Sequence, residues 1–167
     1  MNIHRFVLNG RNFEYFSEDP YLTGKMAAAE LKGMHKMGVT GTIKHFCGNN
    51  QETKRHETDS VISERALREI YLKGFETAVK EGGATSIMTT YGSVNGLWTA
   101  GSYDLVTTIL RNEWGFKGIV MTDWWANINE RNCEPDKSNF AAMIRAQNDL
   151  YMVCADGSKN TCDDNTL

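Results

Sequence analysis

The sequence predicts an α/β protein with a parallel sheet, because short apolar strands alternate with amphipathic helices along the chain. The strand segments are rich in β-branched and aromatic residues, and the segments between them repeat apolar side chains every three or four residues. Parallel neighbours need a crossover connection, which an intervening helix supplies. Polar side chains also gather where the strands end, which is where parallel α/β folds bind their ligands.

The elements follow one another in a regular order. Buried strands are predicted at residues 41–46, 84–89, 118–123 and 149–153, with the clearest pattern in the third and the weakest in the fourth. Helices are predicted at residues 21–37, 63–80, 103–113 and 138–146. Acidic residues and Pro20 suit the start of the first helix, and Gly82-Gly83 suits the end of the second.

The spacing of the strands leaves two architectures open. Strands recur about every 30 to 45 residues, a rhythm that (β/α) barrels share with doubly wound open sheets. A complete eightfold barrel usually takes about 250 residues. Four units in 167 residues would therefore be about half of a barrel.

Composition excludes several classes of function. The net charge is −3, and basic residues are mixed with acidic ones, so we expect no nucleic-acid partner. No apolar run approaches the roughly 20 residues that span a bilayer, so we expect no membrane partner, and the compartment stays open. The four cysteines form no CxxC pair, so reduced thiols rather than structural zinc or disulfides are expected.

A set of polar side chains marks a candidate sugar site at the carboxyl ends of three predicted strands. Lys44 and His45 close the first strand, Tyr91 follows the second, and Asp123 and Trp124 finish the third. Charged groups can bind hydroxyls, while an indole offers a flat apolar face. Each residue also has an ordinary structural interpretation, such as a helix cap for Asp123 or a core aromatic for Tyr91.

Several ordered motifs resemble family 3 glycoside hydrolases of the β-glucosidase type. They are GRNFEYFSEDP (10–20), KHFCGNNQETKR (44–55), ERALREIYLKGFE (64–76), SIMTTYGSVNG (86–96) and GFKGIVMTDWW (115–125). The resemblance implies part of a (β/α)8 TIM-type barrel with parallel strands, incomplete in this chain. It also implies a retaining hydrolase for terminal non-reducing β-D-glucosyl, or xylosyl, residues.

The resemblance implies a role for each matching site residue. Asp123 matches the nucleophile that forms a covalent glycosyl–enzyme intermediate, and nearby cations would lower its pKa. The residues that match sugar-binding positions are Arg11, Lys44, His45, Arg55, Met88, Tyr91 and Trp124. No metal and no cofactor is implied. The acid/base is expected outside this chain, so neither Glu52 nor Glu64 is assigned to it.

Three other functions are weighed against this one. A β-N-acetylhexosaminidase of the same family is disfavoured by the KHFCGNNQE segment at residues 44–52. A non-catalytic carbohydrate-binding remnant would keep the sugar contacts but not turnover. A nucleotide-binding domain would need a Gly-rich phosphate loop after the first strand, and none is present.

The domain prediction is a partial barrel over residues 1–157 and a polar, disordered tail over 158–167. Half a barrel leaves two sheet edges with unpaired backbone groups and apolar faces meant for absent neighbours. We therefore expect the chain to need the remainder of a parent chain or to self-associate.

This expectation can be tested by thermal melting and sedimentation of the 167-residue chain. Exposed edges predict a broad melt or a concentration-dependent oligomer. A sharp, cooperative melt of a dilute monomer would contradict it.

Overall fold

The computed structural model describes residues 1–152, and its main sheet is parallel. Strands β1 (Thr42–Phe46), β3 (Ser86–Thr89) and β6 (Ile119–Met121) lie in the order β1-β3-β6. Met121 continues the sheet through a parallel bridge to Leu150. The strands are therefore adjacent in chain order, as in consecutive units of a (β/α) barrel, and the described residues form an open sheet rather than a closed barrel.

The predicted helices are confirmed to within two residues at each end. Two of them contain π-helical turns, which the three- and four-residue apolar spacing did not distinguish from α-helix. The helical segments are α1 (Pro20–Lys36), α2 (Glu64–Ala66), a π segment (Leu67–Tyr71), α3 (Lys73–Lys80), a π-helix (Asp104–Glu113) and α4 (Phe140–Arg145). Within residues 1–152, no helix is both long and apolar enough to cross a membrane.

The predicted strands are confirmed but are shorter than expected. The fourth is reduced to the single bridge at Leu150, and its last predicted residue lies outside the described residues, as does the predicted tail. A second small sheet was not predicted, because strands of two residues carry no readable alternation. It consists of β2 (Asp59–Ser60), β4 (Ser93–Val94) and β5 (Leu97–Trp98).

Helix α1 begins at the acidic residues and Pro20 that suit a helix start in the sequence. The Asp19 carboxylate accepts hydrogen bonds from the backbone N–H groups of Tyr21, at 2.7 Å, and Leu22, at 3.3 Å. Pro20 occupies the first helical position, where its missing N–H costs nothing. The cap fixes the point at which the chain turns from the loop carrying Arg11 into α1.

The core between the sheet and the helices is built around Phe46, at the carboxyl end of β1. Its ring is fully buried and makes edge contacts with Phe75, at 5.2 Å between centroids, and Trp114, at 6.0 Å. Helix α1 approaches α3 closely where Gly24 faces Thr77. This packing holds the end of β1, and with it the neighbouring His45, in a fixed place.

The close approach of α1 to α3 predicts opposite effects for two glycines of one helix. A Cβ on Gly24 would lie 2.6 Å from the Thr77 Cβ, so Gly24→Ala should lower the free energy of unfolding by about 1–3 kcal/mol. A Cβ on Gly33 meets nothing within 4 Å, so Gly33→Ala should raise it by about 0.5–1 kcal/mol.

Urea denaturation of the two variants and the unsubstituted 167-residue chain measures both effects. Equal stability of the Gly24→Ala variant and the unsubstituted chain would contradict the close α1–α3 contact. The Gly33→Ala variant controls for the general effect of alanine on this helix.

Candidate active site

The candidate site is centred on the carboxylate of Asp123, two residues after the end of β6. The side chain is buried, and its Oδ1 accepts a hydrogen bond of 2.8 Å from the backbone N–H of Trp124. Its Oδ2 is buried and has no hydrogen-bond partner among residues 1–152. One oxygen is thus anchored while the other is left bare, an arrangement suited to attack on an electrophilic carbon.

Burial is the largest influence on the pKa of Asp123 and raises it above its ordinary value of 3.8. The Trp124 N–H, the Tyr91 hydroxyl and the guanidinium groups of Arg11 and Arg55 lower this pKa, but by less. The cations expected from the sequence therefore offset part of the desolvation cost without reversing it. Lys44 instead pairs with Glu14, at 3.4 Å.

His45 lies beside the carboxylate and is held in its uncharged form. Its Nε2 is 3.7 Å from Asp123 Oδ2, and its ring also contacts an Arg11 Nη1 atom and the Tyr15 hydroxyl. Burial, and then the charge of Arg11, lower the pKa of His45 to about 2. The backbone N–H of His45 donates to the Asn2 side chain at 3.0 Å, which fixes the strand at this point.

Three cations surround this pair, and two glutamates hold them. Arg11 Nε lies 3.2 Å from Glu14 and 3.6 Å from Glu52. Lys44 Nζ lies 3.4 Å from the second oxygen of Glu14, and Arg55 Nη1 lies 2.7 Å from the second oxygen of Glu52. Ion-paired guanidinium and ammonium groups keep further N–H donors, which can bind hydroxyl groups of a ligand.

Tyr91 follows β3 and forms the other wall of the site. The Arg55 guanidinium lies 4.6 Å from the centre of its ring, and the His56 ring lies 4.0 Å from it. Burial, and then the Asp123 charge, raise the pKa of Tyr91 to about 12, so its hydroxyl stays protonated. It can therefore act as a hydrogen-bond donor next to the carboxylate.

The structure brings together five of the predicted residues and places two of the other three beside them. The five are Arg11, His45, Arg55, Tyr91 and Asp123. Lys44 joins them through Glu14. Met88 is buried within β3, in register with Met121. Trp124 is 36% exposed beside the carboxylate, which leaves part of its indole available to a ligand.

The sequence does not predict that two glutamates hold the cations of the site. No sequence pattern marks Glu14, although it stands three residues after Arg11 in the same motif, on a 3₁₀ turn (Asn12–Glu14). The sequence presents Glu52 only as a candidate for the catalytic acid/base. The structure shows both of its oxygens engaged by cations, and Glu64 is exposed and paired with Arg68.

Thiol and metal chemistry find no support in the described part of the chain. Burial raises the pKa of Cys47 to about 12, which keeps the thiol protonated and unreactive. No group of three His, Cys, Asp or Glu side chains within residues 1–152 could hold a metal ion.

Comparison with known proteins identifies relatives across almost the whole chain. The model of the glycosyl hydrolase family 3 N-terminal domain matches residues 1–164. A β-glucosidase of Ruminococcus albus is 75% identical over 161 residues, which cover 96% of this chain and 17% of that protein. This chain therefore spans about a sixth of the length of such relatives.

Solved structures agree with the sequence comparison. The β-glucosidase of Paenibacillus barengoltzii superposes with a TM-score of 0.90 at 66% identity, over 92% of this chain and 17% of that one. β-Glucosidase 3B of Thermotoga neapolitana, solved in complex with glucose, gives a TM-score of 0.83 at 49% identity, over 91% and 20%.

The lowered pKa of His45 predicts a specific dependence of stability on pH. Below about pH 6.5 the unfolded chain protonates this histidine, whereas the folded chain does not until about pH 2, so acid favours unfolding. As the pH is lowered from about 6 to about 3, the free energy of unfolding should fall more steeply for the unsubstituted chain than for His45→Gln. The difference in slope should be about 1.4 kcal/mol per pH unit.

Urea titrations of both chains across this range measure the difference, and the remaining histidines cancel because both chains contain them. Parallel pH dependences would show that His45 protonates in the folded chain.

Proposed function

The chain belongs to glycosyl hydrolase family 3, and on that premise we propose that the protein hydrolyses terminal β-D-glucosyl residues with Asp123 as nucleophile. The observation that carries the proposal is the bare, buried Oδ2 of Asp123, enclosed by hydrogen-bond donors. Because the chain spans only about 17% of its curated relatives, this activity is proposed for the whole protein.

The proposed reaction is a double displacement. Asp123 Oδ2 attacks the anomeric carbon, a carbon–oxygen ester bond forms, and the bond to the leaving group breaks as an acid protonates the departing oxygen. The same group then removes a proton from water, which attacks the anomeric carbon and releases Asp123. We infer that this acid/base lies outside the described residues, since Glu52 is already ion-paired with Arg11 and Arg55.

The surrounding groups divide the work of holding the sugar. Arg11, Lys44 and Arg55 offer charged donors to hydroxyls, while the neutral His45 adds no positive charge next to the nucleophile. The Tyr91 hydroxyl can donate to Asp123 and so steady its charge. Glucose is the proposed sugar because the relatives are named β-glucosidases and one is solved with glucose.

Covalent trapping tests the proposal directly. Incubation with an activated 2-deoxy-2-fluoro-β-glucoside should add one glycosyl group to the protein, seen by intact-mass spectrometry. The activated leaving group departs without an acid, and the fluorine slows release of the intermediate, so trapping reports the nucleophile alone. The adduct should be lost in Asp123→Asn.

Two polypeptides make the trapping experiment decisive. One is this chain, and the other is the Ruminococcus albus β-glucosidase carrying this chain in place of its matching segment, hereafter the grafted enzyme. An adduct on the grafted enzyme alone would show that the site needs the rest of the barrel. Sugar binding to the grafted enzyme without an adduct would favour the non-catalytic alternative, and trapping only by a 2-acetamido sugar analogue would favour the hexosaminidase.

The raised pKa of Asp123 adds a pH signature to trapping. Attack requires the carboxylate, so the trapping rate should fall as pH drops, with a midpoint above 3.8. A rate that stays constant down to about pH 3 would contradict the burial of Asp123 as the dominant influence on its pKa.

A further inference from the structure

Five charged side chains beside the nucleophile form one row of alternating sign. In order they are Lys44, Glu14, Arg11, Glu52 and Arg55, and each neighbouring pair lies between 2.7 and 3.6 Å apart. We call this row the charge ladder. Glu14 and Glu52 each stand between two cations and use a separate oxygen for each cation. The Glu52 oxygen that faces Arg11 also accepts a hydrogen bond from Asn49.

The ladder is partly enclosed, which makes its pairings stronger than those of a typical surface. The side chains of Arg11, Glu14, Glu52 and Arg55 are 23–28% exposed, and that of Lys44, at one end of the ladder, is 40% exposed. Ion pairs at this depth are screened less than fully exposed ones. Without the glutamates, three like charges would lie close together and would repel one another.

The two glutamates differ in what they connect. Glu52 pairs with Arg55, three residues later, and accepts a hydrogen bond from Asn49, three residues earlier, so it orders its own loop. It also reaches Arg11 at 3.6 Å and so ties that loop to the amino-terminal loop. Glu14 lies in the amino-terminal loop and reaches Lys44 on β1. It therefore joins two segments that are 30 residues apart, and both of them supply cations to the site.

We propose that Glu14 is a positioning residue that holds Arg11 and Lys44 in one orientation, so that both donate to hydroxyls of the same sugar. This inference rests on the proposed function. Each oxygen of Glu14 is occupied by one cation, at 3.2 Å from Arg11 and 3.4 Å from Lys44, so the residue acts through them. Its removal frees Lys44 and leaves Arg11 held by Glu52 and by its contact with His45 alone. Part of the binding energy of the substrate must then be used to order these side chains again.

Steady-state kinetics of the grafted enzyme test the inference. With a 4-nitrophenyl β-glucoside, Glu14→Gln should lower kcat/KM roughly tenfold or more, mainly through a higher KM, since positioned donors contribute to binding before the chemical step. Glu14→Asp, which keeps the charge, should recover part of the loss. Glu18→Gln is the matched control, because Glu18 is exposed and takes part in no ion pair among residues 1–152.

Substrates that lack one hydroxyl separate positioning from general damage. Glucosides deoxygenated at carbon 3, 4 or 6 should include at least one for which Glu14→Gln costs little, because the hydroxyl that Arg11 or Lys44 binds is already missing. An equal loss on every substrate would overturn the inference in favour of a structural role. Wild-type kinetics in Glu14→Gln would overturn it as well.

Failure of the proposed function looks different from failure of this inference. If the unsubstituted grafted enzyme neither turns over the glucoside nor binds glucose, the proposed function fails, and the role of Glu14 fails with it. If the unsubstituted grafted enzyme is active and Glu14→Gln equals Glu18→Gln, only the inference about Glu14 fails.

Discussion

The whole site depends on the cost of keeping one carboxylate buried. Asp123 lies two residues after a buried strand, where loss of water raises its pKa. Its Oδ2 has no hydrogen-bond partner among the described residues, and His45 Nε2 lies 3.7 Å away. Groups from three other segments partly offset this cost: Arg11 from the amino-terminal loop, Arg55 from the loop after β1, and Tyr91 from the end of β3. A carboxylate fully satisfied by its neighbours would be a poor nucleophile, so the incomplete compensation belongs to its proposed function.

The parallel sheet is what allows these segments to meet. Because β1, β3 and β6 run in the same direction and lie side by side, the residues that follow them emerge at a common edge. The rings of Phe46, Phe75 and Trp114 lock the end of β1 from below, one residue from His45. A catalytic constellation tolerates errors of about 0.5 Å, and rigid packing directly under the site is how the fold meets that requirement.

The sequence predicts those parts of the molecule that depend on neighbours along the chain. Local spacing predicts the start of helix α1 beside the acidic residues and Pro20, and it predicts β6, which ends two residues before Asp123. Glu14 escapes prediction because its importance lies in its pairing with Lys44, 30 residues away, as well as with Arg11, and no local pattern records such a pairing. The two-residue strands of the second sheet escape for a similar reason, since cross-strand partners define them.

Charge state divides the site into two kinds of donor, and this division follows from burial. His45 and Tyr91 are the inward groups, and burial keeps the first neutral and the second protonated. Arg11, Lys44 and Arg55 lie nearer the surface and pair with Glu14 and Glu52. Next to Asp123, only the uncharged side chains of His45 and Tyr91 therefore lose their water. The cations lie farther out, where water and ion pairing still stabilise their charge. The proposed nucleophile and the proposed sugar-binding groups can therefore be supplied by one stretch of sequence. The proton donor needs the opposite electrostatic setting and can come from another part of the protein.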